Sequence, residues 1–282
     1  MYKKLIILCL ISLVCFGYGS VPLFAEGTTT DTGNIESYLQ KLPADLQLKE
    51  DGPQKYRFVC DYLNLDTYGN LVSKQRVSGD YTRNLPDGKA KWNNVRIADA
   101  KTFEDVFPEG AKQDYMEDFT YIYTDIPKPD FFQKFPPSMI VTRNLVWDTV
   151  MFESFGWFYF DKLELNRTYI PSEPQGEISL SGSGTFQNRQ IELTWLGISK
   201  MNNELCALIQ YRAFINKLNV AFNDVSIKGR SHYWGEIWVS LKDKQIERGT
   251  LYEDVLVEYK QTGMQAGQLG DVLRIGTFEK LP

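Results

Sequence analysis

Alternation of apolar and polar side chains governs two stretches of this chain. From residue 55, Tyr56, Phe58, Cys60 and Tyr62 alternate with Lys55, Arg57, Val59 and Asp61, the period-two pattern of a half-buried strand. The turn "DTYGN" follows, 71–82 reads as the partner strand, and beyond "NLPDGKA" a third strand is expected around Trp92–Ile97. The last third uses the same grammar. Arg189–Gly197 and Leu205–Ile215 read as strands joined across "KMNNEL", where Asn202-Asn203 suits the positive φ of a tight hairpin. Further strands are expected at 217–227, 231–241 and 245–259, with Gly249 marking a bulge where the apolar parity changes.

Between these regions the period shifts. Residues 101–140 read as loops with short helices, punctuated by the prolines of "PKPDFFQKFPP". Val141, Leu145, Asp148, Met151/Phe152 and Phe155 then follow the three-to-four spacing of an amphipathic helix. Gly156 argues for its end there, since glycine costs about 1 kcal/mol in a helix interior. The expected fold is mainly β: an antiparallel meander forming a curved sheet, half-barrel or sandwich, with a helical or irregular insertion around 101–165. Residues 51–282 then form one β domain, alternatively two β lobes (51–100 and 166–282) around that insertion.

The N-terminus reads differently. Lys3 and Lys4 precede an apolar run from Leu5 to Gly19, the n-region and h-region of a signal peptide and short for a membrane span. We expect a signal over 1–25, cleaved between 19 and 27, then a polar leader and a short helix within 26–50. An exported protein is implied, periplasmic or extracellular, with a bacterial envelope the natural setting. No later segment reads as a membrane span: the most apolar one, 145–160, carries Asp148 and Glu153.

Charge narrows the partners. The chain has net charge −5, and losing Lys3 and Lys4 leaves 29 basic against 36 acidic residues, or −7. A nucleic-acid binder would show a basic stripe instead. Cys60 and Cys206 are the cysteines beyond the signal; in an oxidising compartment they are candidates for one disulfide, and otherwise for buried thiols.

Candidate chemistry is sparse. His232 is the single histidine, so His-rich zinc sites are excluded and no cofactor is implied. No G-x-S-x-G elbow, phosphate loop or calcium loop occurs. Among carboxylates, Glu236, Glu247, Glu253 and Asp254 fall on neighbouring expected strands. In "GRSHYWGEIW" the alternation sets Ser231, Tyr233, Gly235 and Ile237 on one face and His232, Trp234, Glu236 and Trp238 on the other. The second set is a candidate ligand-stacking surface. Trp147, Phe155 and Trp157 belong to a dense aromatic segment, read either as core under a curved sheet or as the lining of an apolar cavity. A helix plugging a curved sheet resembles lipoprotein-carrier half-barrels, a likeness of arrangement that carries over no residue or activity.

The functional expectation is a non-catalytic binding module for an apolar or amphipathic ligand, such as a lipid-like small molecule, or for an envelope protein. One alternative is a carbohydrate-binding or carbohydrate-active protein using Trp234, Trp238 and Glu236. The other is a structural, envelope-associated protein.

Overall fold

The computed structural model describes residues 52–282 apart from 137, 138 and 223. The expected signal over 1–25 and the leader with its short helix over 26–50 lie outside the described residues. The strands are β1 (Gln54–Leu65), β2 (Leu71–Leu85), β3 (Lys89–Ala100), β4 (Ala111–Lys112), β5 (Phe119–Ile122), β6 (Thr168–Tyr169), β7 (Gly176–Ser179), β8 (Gly184–Asn188), β9 (Ile191–Met201), β10 (Glu204–Phe222), β11 (Val225–Ser240), β12 (Ile246–Gln261) and β13 (Gln268–Lys280). Among the described residues one α-helix, α1 (Ile140–Glu153), runs on into a wider turn over Ser154–Phe158.

The strands form a single antiparallel sheet in the order β4-β3-β2-β1-β13-β12-β11-β10-β8-β7. β5 lies beside β3, β9 beside the first half of β10, and β6 beside β9. The end strands β4 and β7 do not pair, so the curved sheet stays open. The β regions 51–100 and 166–282 are one sheet, joined where β1 pairs β13 from Tyr56↔Lys280 to Leu65↔Asp271.

Alternation explains which face is buried. Tyr56, Phe58, Cys60 and Tyr62 of β1 all face inward, as do Tyr233, Ile237 and Val239 of β11. Against this concave face lies α1, presenting Leu145, Val146, Thr149 and Phe152. Phe152 stacks on Phe278 at 5.3 Å between ring centroids and meets Phe58 edge-on at 5.9 Å. Burying each such ring contributes roughly 1.5–3 kcal/mol. Gly249 makes room for that ring, because a Cβ there would stand 2.6 Å from Phe152. Gly156 serves the same end beyond the helix: a Cβ there would meet Ile246 at 2.9 Å.

Three expectations change. The strand expected at 217–227 is two strands: β10 continues to Phe222, pairs with Val225 and returns as β11. What looked like a strand end at Ile215 is a bulge, where Phe214 and Ile215 lack partners on β11 and Ile215 takes φ +57°. The buried Asn216 closes it by donating to the carbonyls of Ala213 and Ser231. Secondly, β7, β8 and β13 are strands beyond the expected set, and β13 lies between β1 and β12. Thirdly, Cys60 and Cys206 are free buried thiols on β1 and β10, with β13, β12 and β11 between them. Strands sit about 4.8 Å apart, so four such steps exceed the ~7 Å Cα separation a disulfide tolerates. By contrast, Asn202 and Asn203 do turn the β9–β10 hairpin with φ of 50° and 64°.

Candidate functional site

The sheet separates the sequence-proposed residues into two groups. Phe155 and Trp157 are buried on the concave side, and Trp147 packs partly buried against the same core. Trp157 donates its indole N–H to the carbonyl of Lys244 at 2.7 Å, and the guanidinium of Arg83 lies over its ring. These residues fill the half-barrel. His232, Trp234, Glu236 and Trp238 lie on the opposite, convex face, as the alternation of β11 requires. Gly235 admits the carbonyl of Thr250, which accepts from the Tyr211 hydroxyl at 2.7 Å.

On the convex face Trp234 stacks on Tyr252 at 6.1 Å, both being 41 % exposed, and Ile275 continues the row on β13. Arg230 donates to His232 Nε2 at 2.7 Å, and the Phe214 ring lies 5.7 Å from the imidazole. Phe214 and Ile215 also line an open recess of about 600 Å³ with Asn188, Arg189 and Gln190.

The carboxylates do not assemble a glycosidase pair. Glu247 faces inward against Lys280, and Glu253 inward against Arg274. Glu236 is flanked across the strands by Gln210 and Thr250. Asp254 pairs with His232, four residues along β12 from Thr250, which is about 13 Å at strand rise. Two-carboxylate hydrolysis needs about 5–9.5 Å.

Inside the sheet, Arg274 of β13 bridges Asp148 of α1 and Glu253 of β12. Ser231 donates to Glu253, and Tyr62 lies under the guanidinium. Two carboxylates share one cation there. Burial outweighs the attraction of Arg274 for Asp148, whose pKa is pushed up to about 6. Burial also pushes the Cys60 thiol up to about 12, which leaves it inert as a nucleophile. The network is sealed by the core and ties helix to sheet.

A different feature is an apolar face that the helix leaves partly uncovered. The alternation of β10, β11 and β12 continues past the last turn of sheet that α1 covers. Val220 pairs with Ile227, and Ile227 with Tyr259; one row inward Phe186 pairs with Leu218, Leu218 with Gly229, and Gly229 with Val257. All face the concave side, and all are only partly buried. Their convex neighbours Lys217, Asn219, Lys228, Glu258 and Lys260 are polar and exposed. Phe186 links this wall to the core through Tyr233, 6.4 Å away. The segment before α1 is fastened to the β7–β8 turn, where Ser181 Oγ donates to the carbonyl of Ile126. Arg143, in the first turns of α1, reaches the same turn by donating to Ser183 Oγ at 2.9 Å. Its partial burial lowers the guanidinium pKa.

Sequence reasoning missed this wall and Arg143. The signal for the wall was present, since Leu218, Val220, Ile227, Val255 and Val257 hold parity, but only pairing shows that their faces coincide. Among the described residues no helix is long and apolar enough to cross a membrane. Set against known protein families and characterised proteins, the chain matches none of them.

Proposed function

We propose that the protein is an exported, non-catalytic binding module that holds an apolar or amphipathic ligand against the concave face of its sheet. One observation carries this reading: an apolar wall of β8, β10, β11 and β12 that is only partly buried where the helix cover stops. An amphipathic sheet needs its apolar face covered, and exposed apolar surface of this kind marks binding sites. Export is supported by Lys3-Lys4 and the apolar run to Gly19. The interior charges support a role without catalysis, because Arg274, Lys280 and Lys244 each hold a carboxylate in place.

The test is uptake of the neutral fluorophore N-phenyl-1-naphthylamine by the purified chain. The wild type is expected to bind it with enhanced emission, and Ile227→Glu to abolish uptake while keeping cooperative unfolding. A wild type that takes up no fluorophore and carries no organic molecule in its native mass spectrum would defeat the reading.

A further inference from the structure

We infer that the ligand is a single-chain fatty acid, its hydrocarbon laid along the concave wall and its carboxylate held by Arg143; this rests on the binding-module reading above. The geometry places the cation at the wall. Arg143 donates to Ser183 Oγ at 2.9 Å, and the carbonyl of Ser183 accepts from the backbone N–H of Ala221 at 2.9 Å. Ser183 thus ties the guanidinium to the start of β8, whose Gly184 pairs with Val220, the first residue of the row that Val220 forms with Ile227 and Tyr259. Phe132 backs it on the other side, 5.5 Å from the ring centroid.

The electrostatics point to an anion. Other cations drawn into the interior each have a carboxylate: Arg274 has Asp148 and Glu253, Lys280 has Glu247, Lys244 has Asp161, and Arg83 has Glu153. Among the described residues Arg143 has none within ion-pairing distance, and its Nε–H is buried without an acceptor. A partly desolvated guanidinium without a counterion is costly, and its planar fork matches the two oxygens of one carboxylate. The lysines at this end, Lys217, Lys228 and Lys260, fall on the convex face by alternation. The wall thus offers one positive charge beside a hydrocarbon-like surface, which suits a carboxylate on one acyl chain.

The full chain, loaded with N-phenyl-1-naphthylamine, is titrated with palmitate, with the uncharged hexadecanol, and with dipalmitoylphosphatidylglycerol. Wild type is expected to release the fluorophore at roughly tenfold lower palmitate than hexadecanol, the worth of one charge-assisted contact. Arg143→Gln is expected to bring palmitate to the level of hexadecanol and leave hexadecanol unchanged. An unaltered palmitate preference in Arg143→Gln overturns the inference, as does stronger displacement by the phospholipid, and both leave the binding-module reading intact. Failure of wild type to load the fluorophore, with no organic molecule in its native mass spectrum, removes that reading itself. Should Arg143→Gln not fold, phenylglyoxal labelling of wild type decides. Protection of Arg143 by palmitate but not by hexadecanol, mapped by mass spectrometry, supports the assignment; equal labelling overturns it.

Discussion

The same strands behave differently at their two ends. Near the helix, the concave positions of β11 are Tyr233, Ile237 and Val239, all buried. Ten residues earlier, Ile227 and Val225 occupy the same face and remain partly exposed. Residue type does not distinguish the two ends; cover does. At the closed end Phe58, Phe152 and Phe278 interlock, and Arg274 ties helix to sheet. At the open end Arg143, with no carboxylate partner among the described residues, is tied to the β7–β8 turn next to an apolar wall. Alternation therefore reports a face's chemistry and leaves open what lies against it.

The contrast predicts unequal costs of truncation. Phe152→Ala is expected to lose about 3–5 kcal/mol in urea unfolding, through lost burial and a cavity. Ile227→Ala should lose less, about 1.5 kcal/mol, because its side chain is only partly buried. Equal losses would mean that the open end is as tightly covered as the closed one.

A second, comparable effect is electrostatic. Arg274→Met leaves Asp148 and Glu253 buried without a cation, and about 3–5 kcal/mol of stability should disappear near neutral pH. Arg143→Gln leaves no carboxylate stranded, so its unfolding midpoint should stay close to wild type.

The smallest effect is a dependence on pH. The folded pKa of Asp148 is about 6, above the ordinary carboxylate value near 4. Its contribution is fully present below about pH 4 and is lost as pH rises through about 6, at most ~3 kcal/mol. Asp148→Asn should remove that decline. Subtracting the variant's unfolding free energies from those of wild type across pH 4–7 isolates it; a flat difference would show that Arg274 fully compensates the burial.

Much of the fold was legible because period two is a local signal. β1 was read residue by residue, and the Asn202-Asn203 turn came from the φ preference of asparagine. β13 was hidden because its inward set, Val272, Arg274, Gly276 and Phe278, includes a charge and a glycine. Leu273 and Ile275 face outward, so the hydrophobic parity is inverted. Arg274 is tolerated inside only because Asp148 and Glu253 wait there, which no local window reveals. Gly276 is small because Phe58 and Leu251 fill the space above it. The grouping of the site residues was hidden for a similar reason. Aromatic density at 147–160 and the stripe of β11 look alike in composition, yet the sheet lies between them. Arg143 has no distinguishing neighbour in sequence; its lack of a counterion is a property of the assembled surface.

The pairing of β1 with β13 has a consequence in time. It joins segments more than two hundred residues apart, as between Tyr56 and Lys280. Loop closure over such a span is paid before its contacts are gained, and folds dominated by distant pairings form slowly. As the chain is synthesised, the hairpins of β1, β2 and β3 can form early, but the inner edge of β1 stays unpaired until β13 emerges. The core of the nascent chain thus stays unfinished until β13 has been made, and until then β1 offers an unpaired strand edge.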